Sequence, residues 1–194
     1  MNRSSDEPRD PGNHVGALIH DCVRRAWYDY KRGSNIPGLS TAIKFWRGRL
    51  LHRQPILLMH EPSISWNGWT STPDEVEIDD NGCALLVEKK FVDKAKKTVE
   101  QSHVKQVEFY ALFLSKQQPP ITVINAYVTY VVLTYPEVQV FPVVLRPMEI
   151  IQREFEQKKS MYEGAINGEI PPPRSVGASC LDCQHIQLCF SAPN

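Results

Sequence analysis

The chain has 194 residues, of which 42% are hydrophobic and 23% are charged, and these proportions exclude a disordered or fibrous protein and favour one folded domain. It contains no run of roughly 20 apolar residues, which a membrane-spanning helix needs, and its first 14 residues lack the apolar centre of a secretory signal. The 22 basic and 22 acidic residues cancel, so net charge indicates no partner, and we expect a cytoplasmic protein that does not bind a membrane.

The N-terminal part is predicted to be a polar leader followed by two helices. Residues 1–13 are polar and are expected to be mobile. Apolar residues then recur at helical spacing over residues 15–33, which end on a glycine typical of a C-cap. A second helix is expected over residues 40–54, because Pro55 would stop it.

The rest of the chain alternates short β-like runs with two amphipathic helices. Strands are indicated by β-branched and aromatic residues, and helices by apolar residues three and four positions apart. In chain order the predicted elements are strands within 63–71, over 75–78 and over 83–92, a helix over 97–115, strands over 121–133 and 138–145, and a helix over 148–166. Pro142 indicates that the last strand lies at the edge of its sheet.

This order of elements predicts an α/β fold in which a mixed sheet is flanked by helices. The chain shows no internal repeat, and we expect one compact unit. Its predicted parts are the mobile leader (1–13), the N-terminal helices (14–55), the core (56–146) and a C-terminal helix with a cysteine cluster (147–194).

Charge is distributed unevenly along the chain. Eight basic residues and a single acidic residue lie between Arg24 and Arg53, a second basic run spans residues 89–105, and acidic residues concentrate at 74–80. Such segregation would steer a polyanion toward a cation-holding centre, with Arg24 and Arg49 as candidate substrate contacts. Solvated helix faces explain the same charges equally well.

Two carboxylates and a lysine are predicted to share one patch of the sheet. Glu88 and Lys90 are two positions apart in a predicted strand, so their side chains project from the same face. Asp74 lies across the turn at residues 79–82, on a strand that would bring its carboxylate beside Glu88. Hydrolysis of phosphodiesters uses such oxygen ligands to hold Mg²⁺ or Mn²⁺ and a cation to orient water. Standing alone, however, an acid followed by x-Lys more often faces solvent.

Two residue pairs at four-residue spacing shift the balance toward a metal site. Gly48 and His52 share a face of the second predicted helix, where His52 would supply a nitrogen ligand. Gln106 and Tyr110 share a face of the helix that follows Lys90 and would reach phosphate or strand atoms. Each pair by itself is more typical of packing or of surface polar residues.

The order Gly-x3-His, Asp, Glu-x-Lys, Gln-x3-Tyr within residues 44–114 resembles the RecB-like branch of the PD-(D/E)xK nuclease superfamily. The resemblance implies a restriction-endonuclease-like core. The catalytic-metal ligands that it implies are His52, Asp74, Glu88 and the backbone carbonyl of Lys89. It further implies that Lys90 activates water and that Gln106 and Tyr110 match the family's Gln and Tyr. Ser71 departs from the pattern, because the family usually has glycine there.

Five cysteines in a chain expected to stay in a reducing compartment favour metal binding or burial over disulfides. Cys180, Cys183 and Cys189 have a C-x2-C-x5-C spacing that lets three thiolates converge. Cys22 on the first helix is the natural fourth ligand, whereas Cys83 lies in a predicted strand and is expected to be a buried small residue. Four thiolates suit an iron–sulfur cluster or a structural zinc, and the ligand count does not separate the two.

One early cysteine and a late C-x2-C-x5-C around a RecB-like core resemble the iron–sulfur nucleases, and most of all the CRISPR-associated Cas-four exonucleases. The resemblance implies that Cys22, Cys180, Cys183 and Cys189 hold a structural cluster, with 4Fe-4S favoured over 2Fe-2S or zinc, as a clasp that joins the chain ends. It also implies an Mg²⁺- or Mn²⁺-dependent exonuclease. This enzyme would hydrolyse DNA at free, preferentially single-stranded ends for spacer acquisition, with the CRISPR integrase complex as a candidate partner.

Three other functions are consistent with these patterns. A DNA-binding adaptor would keep the fold and the clasp without efficient catalysis, and Ser71 is weak support for it. A RecB-like repair nuclease outside CRISPR would share the catalytic motifs. In a zinc-stabilised interaction module, the acidic and basic motifs would be coincidental.

Overall fold

A computed structural model describes residues 13–19, 22–32, 59–134, 137–173, 180, 183 and 185–191. The predicted second helix, with Gly48, Arg49 and His52, lies outside the described residues, as do residues 1–12 of the predicted leader. Within the described ranges, no helix is long and apolar enough to cross a membrane.

The predicted elements that the structure describes occur in the predicted order, but a two-residue strand at Met59–His60 and a short helix at Ile186–Ser191 were not predicted. A 3₁₀ turn (Val15–Ala17) precedes helix α1 (Val23–Arg32). Five strands follow: β1 (Met59–His60), β2 (Ile64–Trp66), β3 (Trp69–Ser71), β4 (Glu75–Ile78) and β5 (Cys83–Val92). The remaining elements are helix α2 (Gln101–Ser115), strands β6 (Thr122–Val132) and β7 (Glu137–Pro142), helix α3 (Met148–Asn167) and the short helix α4 (Ile186–Ser191).

The main sheet is mixed, as predicted, and has the strand order β1-β4-β5-β6-β7. Only β5 and β6 are parallel, and helix α2 connects them, since parallel neighbours need a long crossover. All other pairs in this sheet are antiparallel. Strand β7 lies at the edge, in agreement with the position of Pro142 at its end. Strands β2 and β3 form a separate hairpin.

A tight turn at residues 79–82 sets the register between β4 and β5. The Oδ1 atom of Asp79 accepts hydrogen bonds from the backbone N–H groups of Asn81 and Cys83, at 2.9 and 2.8 Å. Gly82 has a φ of +76°, which glycine adopts without a steric penalty. The turn therefore fixes which residues of β4 and β5 lie opposite each other.

Helix α2 is the centre of the hydrophobic core. Its residues from Gln106 to Leu114 are all buried, because the helix packs against β5 and β6, the β2–β3 hairpin and α3. Phe155 of α3 is fully buried and contacts the rings of Phe109 and Phe113, at centroid distances of 5.5 and 5.3 Å. Residues of α2 that face the sheet are thus held in fixed positions.

Two predicted helix boundaries were wrong. The first helix begins at Val23, after the separate turn at Val15–Ala17, rather than running continuously from residue 15. Helix α2 begins at Gln101 rather than at residue 97. The backbone N–H groups of Lys96 and Glu100 donate to Gln139 and Tyr130 of neighbouring strands, at 2.7 and 3.0 Å, so this segment approaches the helix in a non-helical conformation.

Candidate active site and cysteine pocket

The carboxylates of Asp74 and Glu88 lie next to each other. Strands β4 and β5 pair Glu75 with Val87, and one further step in this antiparallel register places Asp74 opposite Glu88. The backbone N–H of Lys89 donates to Oδ2 of Asp74 at 2.6 Å, which orients this carboxylate along the edge of β5. The predicted pair of carboxylates is therefore brought together.

Glu88 is buried beside the ammonium of Lys90. Only 1% of the residue is exposed, and burial, reinforced by Asp74 and opposed by Lys90, raises the pKa of Glu88 to about 8. Its Oε1 atom accepts a hydrogen bond from Lys90, whereas Oε2 has no hydrogen-bond partner among the described residues. A buried carboxylate oxygen without a partner is costly, and a metal cation would supply one.

Lys90 is held between strand β5 and helix α2. Its Nζ atom donates to Glu88 and also to Oε1 of Gln106, at 3.0 Å for the second bond. Gln106 in turn donates to the hydroxyl of Tyr110, one helical turn further along. Four of the residues predicted for the site therefore form one continuous chain of hydrogen bonds: Glu88, Lys90, Gln106 and Tyr110.

Lys89 and Glu75 form a buried ion pair that the sequence analysis did not identify. Their side chains are 3% and 0% exposed, and because residues alternate along a strand, they project from the opposite face to Glu88 and Lys90. The backbone N–H of Lys89 therefore binds Asp74, whereas its ammonium pairs with Glu75 on the opposite face of the sheet. The acid-rich run around Asp74 was the only signal for this pair.

A second group that the sequence analysis missed lies beside Lys90. His103 precedes Gln106 by three residues on α2, and its Nδ1 atom is 2.8 Å from the hydroxyl of Tyr130 on β6. Tyr130 is the register partner of Lys90. The spacing from Gln106 was the available signal for His103, but nothing in the sequence marks Tyr130.

Those remaining predicted site residues that the structure describes lie in other parts of the fold. His52 and Arg49 fall outside the described residues. Arg24 is 1% exposed, and its Nη1 atom donates to the carbonyl of Pro172 at 2.8 Å, so its guanidinium is part of the contact between the chain ends rather than of an exposed surface. Ser71, at the position of the family's glycine, is fully buried at the end of β3.

All four predicted cluster cysteines line one pocket between α1 and the C-terminal segment. These residues are Cys22, Cys180, Cys183 and Cys189. The backbone N–H of Arg25 donates to Sγ of Cys22 at 3.4 Å. Cys83 does not line the pocket and is half-buried, less than predicted, because it lies at the first position of β5.

The residues around this pocket tie the two chain ends together. Nε2 of His185, which is fully buried, donates to Oδ1 of Asp29 at 2.7 Å. The hydroxyl of Tyr28 donates to the carbonyl of Leu188 at 3.3 Å, and its ring stacks on that of His185 with centroids 5.4 Å apart. Trp27 donates to the carbonyl of Gly168 at 3.1 Å. These contacts join helix α1 to residues more than a hundred positions away.

Both sites fit the groups that the sequence suggested, in different ways. No three His, Cys, Asp or Glu side chains converge on a single metal ion within the described part of the chain. Asp74 and Glu88 supply two oxygen donors, and the third predicted ligand, His52, is not described. Four thiols around one pocket form the ligand set of an iron–sulfur cluster or of a structural zinc.

Comparisons with known proteins establish the fold. The sequence matches no protein-family profile and no curated protein. Among solved structures, the protein SSO0001 superposes with a TM-score of 0.63 at 16% sequence identity, over 98% of this chain and 91% of its own. Similarity at this level of identity concerns the fold alone. This chain therefore shares with SSO0001 an α/β fold in which a mixed sheet is flanked by helices.

Proposed function

We propose that this protein is a metal-dependent DNA nuclease with a restriction-endonuclease-like core. The observation that carries the proposal is the adjacent pair Asp74 and Glu88, in which Oε2 of Glu88 has no hydrogen-bond partner among the described residues and Lys90 is fixed beside it. If Lys90 served only in a structural ion pair, one carboxylate beside it would be enough. When both carboxyl groups are ionised, the buried site carries two negative charges against one ammonium, and a divalent cation balances the excess.

Each residue of the site has a role in this proposal. Asp74, Glu88, the carbonyl of Lys89 and His52 hold Mg²⁺ or Mn²⁺, which when bound polarises the scissile phosphate. Lys90 orients the attacking water and offsets the negative charge that develops on the phosphate. Gln106 fixes the position of the Lys90 ammonium, and Tyr110 fixes Gln106. Catalysis then depends on groups whose positions are set before the substrate arrives.

The proposed substrate is DNA with a free, preferentially single-stranded end. Basic residues in the loop after β5 support a polyanionic substrate, since Lys94 and Lys97 are exposed near the end of the strand that carries Lys90. On the resemblance to Cas-four exonucleases, the reaction would prepare DNA for spacer acquisition, together with the CRISPR integrase complex. A repair nuclease outside CRISPR would use the same chemistry.

We also propose that the cysteine pocket holds a structural iron–sulfur cluster, with 4Fe-4S favoured. Its support is the convergence of Cys22 with the three late cysteines on one pocket, across about 160 residues of sequence. Closing a loop of that length constrains the unfolded chain strongly, although the effect grows slowly with length. The cluster would then stabilise the contact between the chain ends that the protein residues already make.

The nuclease proposal is tested by cleavage of end-labelled single-stranded DNA with Mg²⁺ or Mn²⁺. Wild-type protein should degrade the DNA only when the metal is present, and Glu88→Ala and Lys90→Ala should each reduce cleavage by about a thousandfold or more. Glu137→Ala, at an exposed position on the edge strand, is the matched control. Cleavage that survives both site substitutions contradicts the proposal, and DNA binding without cleavage by the wild type supports the adaptor function instead.

A further inference from the structure

A charged cluster next to Lys90 takes no part in the catalytic roles described above. Its members are Lys96, Glu100, His103 and Tyr130. It adjoins the site on two sides, because Tyr130 is the register partner of Lys90 and His103 is one turn of α2 before Gln106. Lys90 is also close enough to Glu100 and Tyr130 to lower the pKa of each, in opposition to burial.

The carboxylate of Glu100 lies between two nitrogen donors. Nζ of Lys96 is 2.6 Å from Oε1, and Nε2 of His103 is 3.8 Å from Oε2. The hydrogen bond between Lys96 and Glu100 raises the pKa of the ammonium and lowers that of the carboxyl group. The Glu100 side chain is 43% exposed and that of Lys96 36%, so solvent and ligands reach both.

Tyr130 orients the imidazole of His103 toward this carboxylate. The Tyr130 hydroxyl accepts a hydrogen bond from the backbone N–H of Glu100 at 3.0 Å, and its own proton is free to be donated to Nδ1 of His103, at 2.8 Å. A neutral imidazole that accepts at Nδ1 carries its proton at Nε2. The side of His103 that faces Glu100 is then a donor, which is the group that an anionic oxygen requires.

We propose that this cluster binds a phosphate group of the DNA strand adjacent to the scissile bond, and that Glu100 occupies the phosphate position in the DNA-free protein. A phosphate oxygen accepts from Lys96 the same hydrogen bond that the Glu100 carboxylate accepts, and a second phosphate oxygen would accept from Nε2 of His103, which lies 3.8 Å from that carboxylate. When DNA enters, the exposed Glu100 side chain moves to solvent and the phosphate takes its place. The inference rests on the proposed function, because it assigns a second contact to the same DNA strand.

The test is the affinity for a fluorescent single-stranded oligonucleotide, measured by anisotropy in EDTA so that no cleavage occurs. Glu100→Gln removes the competing carboxylate and should tighten binding about three- to tenfold. Lys96→Gln should weaken binding by a similar factor and reduce the slope of log affinity against log salt by about one. Glu77→Gln, which makes the same change in net charge at an exposed position on β4, is the control for general electrostatics.

The double variant Lys96→Gln/Glu100→Gln shows whether Glu100 competes with a DNA phosphate for Lys96 or only repels DNA through its charge. If Glu100 competes with phosphate for Lys96, removing Glu100 should have little effect once Lys96 is gone. Equal tightening by Glu77→Gln and Glu100→Gln, or full additivity in the double variant, would overturn the inference. Because this assay contains no metal, its failure is distinct from a failure of the nuclease proposal, which the cleavage assay reports.

Discussion

At the scale of single residues, the site is organised around a carboxyl group that is unfavourable without a cation. Burial raises the pKa of Glu88 to about 8, above that of an exposed glutamate, even though Lys90 opposes the shift. Lys90 alone therefore does not balance Asp74 and Glu88. In the proposed function these acidic residues are ligands of the metal, and their cost in the metal-free protein is what selection for function over stability is expected to leave.

Gln106 should matter more than Tyr110, because it contacts Lys90 directly and Tyr110 reaches Lys90 through it. Gln106→Met removes the side-chain oxygen that accepts a hydrogen bond from the Lys90 ammonium at 3.0 Å. The substitution is expected to lower the rate of single-turnover cleavage about 10- to 100-fold. Tyr110→Phe removes only the more distant hydrogen bond and should have a smaller effect. A larger loss in Tyr110→Phe than in Gln106→Met would contradict this order.

The sequence predicted the residues of the carboxylate site better than their surroundings. Asp74, Glu88 and Lys90 were found because strand alternation and a short turn determine which side chains share a face. Tyr130 was missed because its place beside Lys90 depends on the parallel pairing of β5 with β6, which no local pattern encodes. The buried position of Arg24 likewise depends on a contact with Pro172, 148 residues away.

At the scale of secondary structure, the sequence predicted the interiors of helices and strands well and their first residues less well. Strand β5 has the predicted bounds, and α3 extends one residue beyond its predicted end. Helix α2 starts late because Lys96 and Glu100 donate their N–H groups to strands β7 and β6, so tertiary contacts override helical propensity there. The loop that results carries the charged cluster around Glu100.

The attachment of α1 to the C-terminal segment should depend on the hydrogen bond between Asp29 and the buried ring of His185. Asp29→Asn is expected to lower the free energy of unfolding by about 1 to 2 kcal/mol and to speed amide exchange in α4, because a hydrogen bond to a charged group is weakened. Lys31→Gln, at an exposed position on the same helix, is the control. Thermal melts and hydrogen exchange check both variants, and equal effects would refute the role of Asp29.

At the scale of the whole molecule, the chain closes on itself. Helix α1 packs against α3 and contacts the C-terminal segment through Tyr28 and Asp29, and the four pocket cysteines lie at this junction. The contacts of Tyr28 and Asp29 with the C-terminal segment place the four thiols around one pocket, where the proposed cluster would be held. The described N-terminal helix and C-terminal segment therefore meet at one pocket lined by four cysteines.

The cysteine pocket yields a prediction with an internal control. Anaerobically purified wild-type protein should contain iron and sulfide and show the broad visible absorption of an iron–sulfur cluster. Cys22→Ser should lose the iron and make both end segments more sensitive to protease, whereas Cys83→Ser should retain the iron, since Cys83 lies outside the pocket. Stoichiometric zinc in colourless anaerobic protein, or equal iron loss in the two variants, would contradict the cluster.

The claim on which the proposed chemistry depends is that Asp74 and Glu88 form a divalent-cation site. It is tested most directly by titrating the DNA-free protein with Mn²⁺ and following binding by calorimetry or electron paramagnetic resonance. The account predicts saturable binding that Asp74→Asn and Glu88→Gln each weaken by at least about tenfold, and that Glu137→Gln leaves unchanged. Mn²⁺ binding that is absent from the wild type, or equally strong in all three variants, would contradict it.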